Sequence, residues 1–150
     1  MKLAEALIIR ADLQKRIGQL KGRLKDSAKV QEGDTPAEDV NALYKELDSD
    51  LTQLEDLIYR INVTNIQTIH EGESLTRMMA RKDVLTSRLG VMRDVLAHVS
   101  GSETRYGRNE IKYVRTIDVA ELRRSTDQYS KQLRELDTTI QSINWTVDLI

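Results

Sequence analysis

Chemistry in this chain has few residue types to draw on. There are two histidines, no cysteine and one tryptophan among 150 residues. The cysteine count excludes disulfides, thiolate metal sites and a thiol nucleophile. A histidine-based catalytic system would have to rest on His70, and no serine or threonine pairs with it convincingly. Glu5, His70, Glu71, Glu73, Asp83 and Asp148 could supply oxygens and one nitrogen to a metal. No Glu-x-x-His pair occurs, however, which disfavours a di-iron carboxylate site. Gly-rich phosphate loops, G-x-S-x-G and zinc-finger spacings are absent as well. The expectation is therefore no metal, no cofactor and, in preference, no enzymatic activity.

What remains is a set of polar residues in apolar places. Arg10 occupies a slot in the three-four series Leu3, Ala6, Arg10, Leu13, Ile17, Leu20, Leu24. Lys82 does the same in Leu75, Met78, Lys82, Leu85, Leu89, Met92, Leu96, Val99. Both lie seven residues into their series, about 10 Å from one end of an up-down bundle. Asn62 and Asn65 approach that end from the second helix, Asn144 from the fourth, and Asp83 stands beside Lys82. Arg10, Asn62, Asn65, Lys82, Asp83 and Asn144 are thus expected to form one polar layer. The preferred role is structural, since polar seam residues fix register and oligomeric state at a cost in stability. The alternative is a pocket for a small anion or carboxylate, served by two cations, amide donors and helix N-termini.

The elements that would position these residues follow from the periodicity. Helices are expected over about 3–29, 36–68, 75–99 and 119–147. The second is opened by Thr35 as N-cap, Pro36 and Glu38; the fourth is opened by Asp118 and Glu121. The seam of the second helix reads Val40, Tyr44, Leu47, Leu51, Leu54, Ile58, Ile61, Asn65, Thr68. Asp12 and Arg16, four apart, are expected to pair on the exposed face of the first helix. Val30–Thr35 and His70–Ser74 read as turns. Residues 1–30 carry eight basic and three acidic side chains, while residues 32–56 carry nine acidic and one basic. That complementarity favours an antiparallel pairing of the first two helices. With 39% apolar residues, one proline and no phenylalanine, the fold is expected to be mostly α. A long antiparallel four-helix bundle or coiled-coil-like arrangement in a single domain, 1–150, fits best.

Between the third and fourth helices the pattern changes. Arg105–Asn109 carries a turn signal, and Glu110–Ile117 alternates with β-branched and aromatic residues. A β-ribbon is expected over about 103–117, with 103–106 against 111–114. Such a ribbon is marginal alone and needs a partner surface. Ile111, Tyr113 and Ile117 on one strand face, together with Trp145 off the main seam, are the expected oligomer interface, and a homo-oligomer, dimer or higher, is the expected assembly. Arg105, Arg108, Lys112 and Arg115 interleave with Tyr106 and Tyr113, a pattern that can bind single strands. The net charge of −1 and the role of charges in protecting a strand edge argue against nucleic acid as partner. With no signal-peptide core or membrane span, a cytoplasmic protein without membrane contact is expected.

The blocks MKLAEALIIRADLQKRI, VQEGDTPAED, INVTN, EIKYVRTIDVAEL and LDTTIQSINW together resemble a family of short bacterial helical proteins, some automatically labelled septicolysin. The resemblance spans almost the whole chain. The family pattern carries a basic residue where this chain has Val63. No activity is established for the family, so the resemblance implies a helical fold and no substrate. The label would imply a pore-forming toxin; the sequence gives that reading neither a secretion signal nor a hairpin long enough to cross a bilayer.

Overall fold

The structure is a computed structural model that describes residues 1–101 and 111–150. Four long helices account for most of it: α1 (Leu3–Ala28), α2 (Val40–Gln67), α3 (Leu75–Ser100) and α4 (Val119–Thr146). Between α2 and α3 lies a two-stranded antiparallel sheet, β1 (Ile69–His70) and β2 (Glu73–Ser74). The chain divides into two compact units, residues 1–76 with 141–150, and residues 77–140.

In the first unit α1 and α2 are antiparallel neighbours. Arg16 of α1 binds Asp50 of α2, and Arg23, about two turns further on, reaches back to Glu38 and Glu46. As the residue number rises along α1 it falls along α2. The basic and acidic stretches are thereby brought face to face. Leu20 and Leu24 pack with Leu43, flanked by Val40 and Leu47, to form the core near the connecting loop. At the other end Leu3, Ala4, Ala6, Leu57, Ile61 and Leu75 are buried.

α1 opens with the Lys2 amide donating to Glu5 Oε2 at 2.6 Å. α2 starts later than the Thr35–Pro36 signal predicts. Asp39 is its N-cap, with Oδ1 accepting from the Asn41 amide at 3.0 Å. Glu38 is drawn across to Arg23 instead of closing a capping box, with Arg23 Nε donating to Glu38 Oε2 at 2.9 Å. Asp118 does cap α4, accepting from the Glu121 amide at 3.2 Å.

The β1–β2 turn is a tight two-residue hairpin. Ile69 pairs with Ser74 and His70 with Glu73, leaving Glu71 and Gly72 to make the reversal at φ of 50° and 84°. Two successive positive φ values match the twist of the flanking strands, which is why the primed turns close hairpins. The small β element of this fold therefore sits at the expected His70–Ser74 turn. Of the ribbon expected over 103–117, residues 103–110 lie outside the described residues, and 111–116 form no strand.

In the second unit α3 and α4 are linked by Lys82 with Asp137, Arg88 with Tyr129 and Arg93 with Ser130. This register is again antiparallel. Leu89 and Thr126 are buried there, and Leu85, Leu96, Leu122, Leu133 and Leu136 are half-buried. Thr126 Oγ1 satisfies itself by donating to the Leu122 carbonyl at 2.7 Å. No helix among the described residues is long and apolar enough to cross a membrane.

Candidate functional site

The six residues expected in the polar layer divide between the two units. Arg10, Asn62, Asn65 and Asn144 belong to the first, Lys82 and Asp83 to the second. Asn65 and Asn144 are buried, Arg10 is half-buried, and Asn62 is exposed. Lys82 pairs its ammonium with the Asp137 carboxylate, and Asp83 is exposed.

The buried charge that does lie between two helices is one that periodicity missed. Asp50 is only 1% exposed. Its Oδ1 receives Arg16 Nη2 at 2.8 Å, and its Oδ2 meets no hydrogen-bond donor among the described residues. Arg16 thus spans α1 to α2, where a pairing with Asp12 was expected. Asp50 stands where a coiled-coil seam places a residue that fixes register. The signal was present in the spacing Leu43, Leu47, Asp50, Leu54, Leu57, Ile61, Thr64, but a charge and a hydroxyl in that series made the neighbouring apolar one look better.

A second polar cluster ties the chain ends together. Lys2 forms an isolated antiparallel bridge with Asp148. The Leu3 amide donates to the Val147 carbonyl and the Leu149 amide to the Met1 carbonyl, each at 2.9 Å. Lys2 Nζ binds Asp148 Oδ1 at 2.9 Å and the Thr146 carbonyl at 3.0 Å. This contact holds the Asp148 carboxyl below the usual aspartate range, first by the hydrogen bond and then by the charge of Lys2. Residue 150 docks on α2: its amide donates to Thr64 Oγ1 at 3.1 Å, and Arg60 Nε donates to its carbonyl at 2.7 Å. Thr64 is fully buried, and its hydroxyl donates a hydrogen bond to the Arg60 carbonyl at 2.8 Å.

The third feature is apolar. Residues 111–117 run without regular structure between α3 and α4. Ile111 is 93% exposed, Tyr113 80% and Val114 74%. The segment is anchored by Arg115, whose Nε donates to the Val99 carbonyl at 2.6 Å. Ile117 ends it and lines an open groove of about 680 Å³ in the second unit. Val91 and Met92 of α3 and Leu122 and Tyr129 of α4 line the same groove, with Arg88, Asp118, Glu121 and Ser125. Arg88 lies over the Tyr129 ring, 4.8 Å from its centroid, and donates to the Tyr129 hydroxyl at 3.0 Å. The guanidinium is thereby stacked and fixed in direction. Trp145 is 56% exposed in the first unit.

The sequence matches the model of a family of unknown function, DUF6847, over residues 10–149. The chain belongs to this family. It is similar throughout to a functionally unknown conserved protein from Corynebacterium diphtheriae known from a crystal structure. The two are 40% identical with a TM-score of 0.93, and the match covers 100% of this chain and 99% of that one. Among curated proteins none matches. The expected membership of an uncharacterised bacterial family with a helical fold is borne out by these two likenesses. Neither supports a toxin.

Proposed function

We propose that this DUF6847 protein is a non-enzymatic, self-assembling helical protein whose copies join through residues 111–117. The observation that carries the reading is the exposure of Ile111, Tyr113 and Val114, three large apolar side chains within four residues. Burying each such side chain is worth about 1.5–3 kcal/mol. Single exposed apolar residues are ordinary, but a contiguous set marks an interaction surface. Trp145, more than half exposed, adds a second anchor of the type enriched at interfaces. The proposed setting is the cytoplasm, in keeping with a cysteine-free chain.

Light scattering on the purified full chain at micromolar concentration tests this. The expected mass is at least twice that of the chain. Ile111→Asp combined with Tyr113→Asp alters only exposed positions, so the helical circular dichroism should be unchanged while the mass falls toward one chain. A wild-type protein that stays monomeric at high concentration overturns the reading.

A further inference from the structure

The exposed segment and the groove of the second unit share Ile117. One patch of surface thus carries both something to bury and somewhere to bury it. We propose that the groove between α3 and α4 receives Ile111 and Tyr113 of a second copy of this chain, and that the partner's groove receives the same residues in return. This inference rests on the self-assembly reading and adds the place where the partner sits.

Three observations lead to a second copy as the occupant. The first is symmetry. A two-fold interface must be self-complementary, with donor and acceptor on the same patch. Ile111 is six residues before Ile117, a reach of roughly 20 Å when extended, so reciprocal exchange needs no long arm. The second is chemistry. Val91, Met92 and Leu122 offer apolar contact, and the fixed Arg88–Tyr129 stack offers a flat aromatic and cationic surface for a tyrosine ring. The third is charge. Lys112 stands between the two apolar residues of the segment. In the groove Arg88 is engaged with Tyr129 and Glu121 with Arg124, and Asp118 lines it beside them, so docking brings the Lys112 ammonium toward the Asp118 carboxylate. The segment does not fill its own groove, because Ile111 and Tyr113 remain almost fully exposed.

The chain has no cysteine, so introduced thiols report alone. Full-length Tyr113→Cys and Ser125→Cys chains are prepared separately, mixed, equilibrated and oxidised mildly. Each carries one thiol, and any disulfide therefore joins two copies. The expected product is the mixed Tyr113→Cys–Ser125→Cys species, at least fivefold over either homodisulfide. Filling the groove with Ser125→Trp should weaken association at least tenfold by light scattering, with unchanged helical circular dichroism. Val91→Asp, at an exposed position, gives a second variant should the tryptophan disturb the fold. A dimer whose mixed disulfide does not exceed the homodisulfides, and whose association survives both groove variants, overturns the groove while leaving self-assembly standing. A monomer with no crosslink overturns both. A single chain carrying both Tyr113→Cys and Ser125→Cys that closes only an intrachain disulfide also overturns the proposal.

Discussion

Asp50 is a carboxylate under α1 with one oxygen satisfied and the other bare. The arrangement is asymmetric, because Arg16 is half exposed and keeps water on its far side. Losing Arg16 and losing Asp50 must therefore have different consequences. Arg16→Ala strands a buried charge, and unfolding in urea should show a loss of about 1–3 kcal/mol. Asp50→Leu removes the costly charge and fills an apolar seam, while Arg16 returns to solvent. That variant should be at least as stable as the wild type, by up to roughly 1–4 kcal/mol. If Asp50 fixes the α1–α2 register, the gain will come with a broadened set of amide NMR signals. Equal destabilisation by both substitutions would mean that the pair contributes net attraction. Arg10, the charge that stands out among the aliphatics of the α1 seam, is half-buried, whereas Asp50 is harder to see in the sequence because Leu51 stands beside it.

Three helix starts were legible from the sequence: α1, α3 and α4 begin at the expected residues, Leu3, Leu75 and Val119, where the apolar period begins cleanly, whereas the Thr35–Pro36 cap signal places the start of α2 too early. The face of α2 was not legible. Its sequence carries two overlapping heptad seams one residue apart. The expected one places Tyr44, Leu51 and Ile58 inward, yet these are 53%, 44% and 37% exposed, while Leu43, Leu57 and Thr64 are buried. Composition cannot choose between two such seams; packing against α1 does. The β1–β2 reversal is a different case, where local chemistry suffices. Gly72 at φ 84° is in a region that L side chains avoid, and a Cβ there would meet nothing within 4 Å. Gly72→Ala should therefore cost about 1–2 kcal/mol through backbone strain alone. Glu71, at φ 50°, already bears such strain. Glu71→Asn should raise the melting temperature, asparagine being the residue that tolerates this conformation. If neither variant shifts the thermal midpoint, the hairpin is unfolded in solution and contributes nothing to the entry of α3.

At the scale of the molecule, the first unit is closed by its two chain ends, and that closure is electrostatic as well as hydrogen-bonded. The Lys2 ammonium holds the Asp148 carboxyl below the usual aspartate range, and the Arg23 guanidinium holds the Glu38 carboxyl below the usual glutamate range. A carboxyl whose folded pKa is depressed contributes stability that is fully present above the unfolded value. That contribution is lost as the pH falls through the lower folded value. The window for both groups is therefore acidic, from about pH 5 downward. Both groups are exposed, so the effect should be modest and should shrink in salt. The thermal midpoint of the wild type should fall between about pH 5 and pH 2.5, and Asp148→Asn should show a shallower fall. Thr64→Val removes the hydroxyl that receives the residue-150 amide and should cost about 1 kcal/mol at any pH. Hydrogen exchange separates the two contributions. Asp148→Asn should speed exchange at the Leu3 and Leu149 amides only where the wild-type carboxyl is ionised. Thr64→Val should expose the residue-150 amide throughout. Uniform protection of all three amides in both variants would show that apolar packing of Leu3 and Leu149, and not the polar cluster, holds the ends together.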